Sequence, residues 1–345
     1  MRYFDEALVN AHPRQHGAWW QELTAEREYF HRKEDELAEV QNAAAVLPRD
    51  AWMDLDTVTR RVMRTDEGAV WMNDLMPLAK PVNIGKLVHL SRVSSDISDQ
   101  VVVSISGQVP VPLDKSTYDY RGTPVPIFQK GYGREWREWN TLQSENFDAL
   151  ADDQEATVAQ VRRRNSLYVL DGDPRINIGG YSAYGIRTSP LSKSINLGAA
   201  GANIDLTDPT VPFATIDAFF TGAFGAIMDD NLVAAPVNLY VSPHIARNWD
   251  RRAEEGVEGT ILSRILGNRR IAKVAVSFEL QGNEFFGFVP SAEYIRPLVA
   301  MATSTFAMPR NYPTANYQFE VWNAMGIEIR GDFNGRSGVF YSVEA

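Results

Sequence analysis

The sequence predicts an α+β protein in which a long β-ribbon, a single long helix and a compact α/β unit follow one another. Three observations predict it. Between Lys86 and Lys130 apolar and polar residues alternate with a period of two. Between about Thr141 and Leu170, the residues Phe147, Leu150, Ala151, Val158, Val161, Leu167 and Tyr168 recur at steps of three and four. From 213 to about 310 helical and strand patterns take turns, with turn residues between them.

The chain opens with an arm, residues 1–46. Trp19, Trp20, Leu23, Phe30, Leu37 and Val40 stand at roughly helical spacing in a charged background. Glu28 and Arg32, and Arg32 and Glu36, are four-apart pairs that support an exposed helix. Large apolar side chains on such a segment need a partner surface, so Trp19, Trp20 and Phe30 are expected against a neighbouring molecule. Leu47-Pro48-Arg49-Asp50 opens a second segment, 47–85, with a short helix around Asp54–Met63.

The ribbon occupies 86–133. Val101, Val103 and Ile105 fall on one side of its pattern, and Val102, Ser104 and Ser106 on the other. A two-stranded ribbon is marginal alone in water, so a long one implies that another molecule supplies its second surface. Val101, Val103, Ile105, Tyr118 and Tyr120 are the side chains expected to pack across that boundary. Prolines 110, 112, 124 and 126 keep its edges from pairing indefinitely. Trp136 and Trp139, interleaved with charges, read as an interface hinge between ribbon and helix.

Residues 134–212 hold the long helix, of about 45 Å if it is continuous over 30 residues, and a glycine-rich stretch. Gly172 is its natural stop. Arg162, Arg163 and Arg164 cross its second half and read as a solvated face or a row of ion pairs between subunits, with Arg162 and Arg163 placed at the interface. In 213–310, Pro212 precedes the apolar helix FATIDAFFTGAFGAIMDD. VNLYVS is a buried strand, Ser242-Pro243 caps the helix HIARNWDRRAEE, and Gly267 stops the helix GTILSRIL. IAKVAVSFEL and EFFGFVP are expected to form a hairpin across Gln281-Gly282-Asn283. In 311–345, YQFEVWNAMGIEIRG and GVFYSVEA are expected to form another, turning at Asn334-Gly335.

The composition excludes several kinds of chemistry. The 345-residue chain has no cysteine, which removes disulfides and thiolate metal sites. Its net charge of −10 disfavours a nucleic-acid binder, which needs a basic face. Any DNA nearby is expected to be a neighbour only by non-specific proximity. No apolar window reaches the ~20 residues of a membrane span and no signal-type run opens the chain, so a soluble protein made inside the cell is expected. Five dispersed histidines are a thin inventory for a hydrolase or metalloenzyme. GYSAYG, at 180–185, has one residue too many for a nucleophile elbow. Asp171-Gly172-Asp173 lacks the further ligands of a calcium loop and is better read as a helix terminus. No dinucleotide, phosphate-loop or zinc pattern is present. No catalytic residue, cofactor or metal is expected.

The order of parts, together with PVPIFQKGYGREWREW before the long helix, LDGDPRINIGGYSAYGI after it and LYVSPHIARNWD in the α/β unit, resembles the major capsid proteins of tailed bacteriophages. These share the Hong Kong 97 phage fold. The resemblance covers about residues 46–345. It implies that the ribbon is the extended loop, that the long helix is the spine of a peripheral domain joined by returning terminal strands, and that 213–310 is the axial domain. It further implies self-assembly into hexamers and pentamers of an icosahedral virion shell. Implied partners are a separate scaffolding protein, a portal and a possible decoration protein, because the short arm leaves little room for a built-in scaffold. No covalent crosslink is expected: Lys115 and Lys130 lie in the ribbon, but no acceptor and glutamate match. Two rival readings are an encapsulin-like nanocompartment shell of the same fold and an oligomeric α/β enzyme with a ribbon arm.

Overall fold

The computed structural model describes residues 24–33, 70–97, 101–108, 110, 113–144, 149–253 and 258–344. The chain divides into two units, Met1–Met63 and Arg64–Ala345. In the first, helix α1 (24–33) is exposed along its length, with Tyr29 and Phe30 edge to face at 5.8 Å. Trp19, Trp20 and the helix expected around Asp54–Met63 lie outside the described residues.

The second unit holds two main sheets. A four-stranded sheet has the order β1 (Lys80–Pro81), β11 (Ile295–Ala307), β12 (Tyr317–Ile329), β4 (Ile127–Arg134). β11 and β12 form a long antiparallel hairpin of 13 residues each, bulged near Met301. Across this sheet, against β4 and β12, lies the spine helix α4 (Ala149–Asp171). Its inward face carries Val161, Asn165, Tyr168, Val169 and Leu170. Of the helix expected from Thr141, the described residues give the 23-residue spine, which spans about 35 Å, preceded by helix α3 (Trp136–Ser144); residues 145–148 between them lie outside the described residues. The stop is as expected. Gly172 takes φ +69, and a Cβ there would lie 2.2 Å from the Ala183 carbonyl oxygen, so no other residue fits. A small hairpin follows, β5 (Gly172–Ile178) and β6 (Tyr181–Tyr184), turning on Gly179-Gly180.

The five-stranded sheet has the order β7 (Lys193–Asn196), β13 (Val339–Val343), β10 (Phe285–Phe288), β8 (Val237–Val241), β9 (Ile271–Val276). β8 is buried at all five positions. One face of the sheet packs on α5 (Phe213–Ala218), a π-helical turn (Phe219–Ala223) and α6 (Phe224–Asp230), which bury Phe219, Phe220 and Phe224. Ser242 caps α7 (Pro243–Trp249) by accepting from the Ile245 N–H. Thr260 caps α8 (Ile261–Leu266), which ends at Gly267. α7 ends at Trp249, short of the expected HIARNWDRRAEE.

Both expected hairpins are wrong in pairing. β9 does not pair with β10: β8 lies between them, parallel to β9 and antiparallel to β10. A strand buried on both faces, as Val237–Val241 is, belongs inside a sheet, with a neighbour on each edge. β12 does not pair with β13 either. The turn at Asn334-Gly335 forms, with the Gly335 N–H donating to the Asp332 carbonyl, but it carries the chain from one sheet to the other. β11, unforeseen as a strand, takes the place beside β12, so the segment 213–310 contributes to both sheets. A second apolar core joins the sheets. Trp71 of α2 (Val70–Leu75), Tyr240, Phe286 and Phe288 meet Tyr168, Ile295, Met325 and Ile327 there. Asp74 of α2 accepts from the Tyr240 hydroxyl at 2.5 Å and pairs with Lys273 at 2.8 Å.

Candidate assembly surfaces

The ribbon is built from β2 (Val88–Ser94) and β3 (Tyr118–Pro124), antiparallel in seven registered pairs from Val88–Pro124 to Ser94–Tyr118. It is shorter than the expected 86–133, because β4 leaves it to join β12. Its root is fastened to the body. Arg121 donates to the carbonyls of Gly331 and Asp332, each at 3.0 Å, and the Tyr181 ring lies over Gly122 where a Cβ would come within 2.5 Å. Any side chain at 122 would push the ribbon off β6.

Beyond Ser94 the expected strand is absent among the described residues. Residues 101–108 are irregular, so the alternation of Val101, Val103 and Ile105 does not become a ladder. Strand propensity reflects packing against neighbours more than a backbone preference, and this segment has no partner strand among the described residues. What remains is an apolar surface in water: Val101 is 83 %, Val103 93 % and Ile105 fully exposed, and Leu113 is 96 % exposed. Tyr118 and Tyr120 project from one side of β3 and are more than half exposed, with the Arg92 guanidinium 5.0 Å above the Tyr118 ring. Single apolar side chains are common on a surface, but so many large ones exposed along one segment mark an interaction site. Each of these side chains, once covered, contributes about 1.5–3 kcal/mol.

Of the other expected interface residues, Trp136, Trp139 and Arg163 have partners within the subunit. Trp139 packs against Tyr317 at 5.6 Å, and Arg137 lies 5.3 Å from the Trp136 ring. Between α3 and the spine, Arg134 bonds Asp153 and Glu138, both at 2.5 Å. Arg163 pairs with Glu279 at 2.8 Å, while Arg162 is exposed. Asp173 accepts from Arg175 and Arg164; the Arg175 guanidinium holds its carboxyl at about 2. Asp171 pairs with Arg187. Both carboxylates of the Asp171-Gly172-Asp173 segment thus tie the end of the spine, and GYSAYG is the β5–β6 turn and strand. Among the described residues no cluster of three metal-ligating side chains exists, and no helix is long and apolar enough to cross a membrane.

One charged cluster was not foreseen. Glu328, 2 % exposed, faces Arg296 at 2.6 Å, with Arg330 4.0 Å away. His89, near the ribbon root on β2, lies 3.4 Å from the Lys80 ammonium. Burial pushes the His89 pKa down, and Lys80, Arg296 and Arg330 push the same way against Glu328. The sequence carries no signal for this cluster, because its members come from β1, β2, β11 and β12.

The sequence profile of a family of unknown function, DUF6260, matches residues 42–342. No curated protein matches the chain. Solved structures do. The capsid of Myoviridae phage XM1 aligns at 10 % identity over 87 % of this chain and 99 % of that one, with a TM-score of 0.61. The capsid of an empty GTA particle aligns at 12 % identity over 88 % and 97 %, with a TM-score of 0.57. A virus-like particle from Pyrococcus furiosus aligns at 12 % identity over 80 % and 93 %, with a TM-score of 0.51. The α+β architecture is the Hong Kong 97-type capsid fold, as expected; at these identities the likeness is one of fold.

Proposed function

Because the chain belongs to the family of unknown function DUF6260 and folds like capsid subunits over most of its length, we propose that it is a major capsid protein, forming the icosahedral shell of a phage virion. The observation that carries this reading is the ribbon. It is rooted by Arg121 and Gly122, yet it displays Val101, Val103, Ile105 and Leu113 to solvent. A closed shell needs heterologous contacts repeated around each subunit, and an overhanging apolar ribbon supplies one. In this reading the spine and the β11–β12 hairpin form the peripheral domain, the five-stranded sheet forms most of the axial domain, and copies gather as hexamers and pentamers. The role is structural, without catalysis. A separate scaffolding protein, a portal and a decoration protein are the partners it calls for, and the virion shell is its location.

Expression alone and with candidate scaffolding proteins, followed by light scattering and electron microscopy, tests this. Closed shells are expected. A monomer under every condition would overturn the reading. A second reading is an encapsulin-like nanocompartment shell of the same fold, with which the likeness to a virus-like particle from Pyrococcus furiosus is equally compatible. A cargo enzyme inside purified shells, in place of nucleic acid, would select it.

A further inference from the structure

An open cleft of about 560 Å³ lies between the ribbon root, the end of α6 and the turn that joins β12 to β13. Arg92, Arg121, Arg330 and Arg336 line it, against two carboxylates, Glu293 and Asp332. Arg121 uses two of its five N–H donors on carbonyls, Arg92 lies over the Tyr118 ring, which uses none of its donors, and Arg330 stands 4.0 Å from Glu328. Among the described residues, Arg92, Arg121 and Arg336 make no ion pair. The cleft is thus a local excess of positive charge on a chain whose net charge is −10.

At its edge stands Leu232. The end of α6 is a Schellman turn: the Val233 N–H donates to the Met228 carbonyl and the Leu232 N–H to that of Asp229. The residue in its left-handed position is ordinarily glycine. Here it is leucine, at φ +55 and 70 % exposed. The position therefore costs backbone strain and leaves a large apolar side chain in water, and neither is returned within the subunit. Phe333, 44 % exposed, lines the same cleft.

We propose that this cleft docks a second copy of this chain, with Leu232 as the apolar anchor and Arg92, Arg121 and Arg336 receiving carboxylates of the incoming copy. The inference rests on the shell reading and adds a surface to it. Arginine is enriched at protein–protein interfaces, and the exposed Leu232 and Phe333 beside the arginines give such an interface apolar surface to bury. A nucleic acid would use the arginines through its phosphates and have no use for Leu232. A chain with 44 acidic against 34 basic residues carries the surplus carboxylates the cleft needs.

The chain has no cysteine, so Leu232→Cys introduces a single thiol. Its alkylation by a maleimide should be several-fold slower in assembled shells than in dissociated subunits. Arg336→Glu should keep the melting temperature of the subunit and lose most of the shell yield, and wild-type yield should fall with added salt. Equal alkylation rates, or full yield from Arg336→Glu, would overturn the docking surface while leaving the shell reading intact. Failure of the wild type to assemble would overturn the shell reading and the docking surface with it. Titration of labelled duplex DNA separates the remaining source of anions. Wild type and Arg336→Glu should behave alike, and binding lost only in the variant would assign the cleft to phosphate instead.

Discussion

Glu328 is the most deeply buried carboxylate among the described residues, and its partner Arg296 sits opposite it in the β11–β12 register. Removing one member of a buried pair leaves the other charge uncompensated, which costs about 3–5 kcal/mol. Glu328→Gln keeps the shape and removes the charge. A loss of about 3 kcal/mol is expected in denaturant unfolding, and a loss below about 1 kcal/mol would mean that Arg296 is satisfied without it. His89 gives a pH dependence whose sign follows from its surroundings. Its folded pKa lies below 6.5, so below that pH the unfolded chain binds more protons than the folded one. The contact between ribbon root and sheet is therefore whole above 6.5 and weakens as pH falls, because a charged His89 would stand beside Lys80, with Arg296 and Arg330 near and only Glu328 to offset them. His89→Gln should flatten the stability profile between pH 7 and 5. An unchanged profile would place the acid sensitivity elsewhere.

At the scale of elements, the ribbon is the least conventional part. Its seven paired rows form a root, and beyond them the apolar tip stands exposed. Replacing Val101 and Val103 together with aspartate puts charge on that surface without touching a core residue. The circular dichroism of the subunit should stay unchanged while shell formation stops. Wild-type shell yield from this double variant would mean that the tip faces solvent in the assembly. Gly122 tests the root. Gly122→Val drives a side chain into the Tyr181 ring, so the ribbon should become sensitive to protease at its base while the two sheets stay intact. Protection equal to wild type would show that β6 yields instead.

For the molecule as a whole, assembly should respond to defects more steeply than to dose. If each ribbon packs on a neighbour, one defective copy damages several contacts. An equal mixture of wild type and the Val101→Asp/Val103→Asp variant should therefore give far less than half the shell yield by sedimentation. A yield proportional to the wild-type fraction would show that ribbons act within their own subunits.

The sequence by itself determined what depends on neighbours in the chain. The period of the spine, its stop at Gly172, the cap at Ser242, the buried strand Val237–Val241 and the Pro212 start are all local events, and each is where the residues place it. The ordered sequence of parts carried the fold class for the same reason. Tertiary structure alone decided which strands pair. β9 and β10 are separated by one turn yet flank β8, and β12 and β13 part into different sheets, because a strand takes the edge that buries its apolar face rather than the nearest edge in sequence. It also decided that Val101, Val103 and Ile105 form no ladder, since a strand needs a second strand. The charged cluster of Lys80, His89, Arg296, Glu328 and Arg330 and the cleft beside Leu232 exist only after four distant strands and a helix end have met. No spacing in one chain encodes a meeting of that kind, because its residues share a place in space and not a period in sequence.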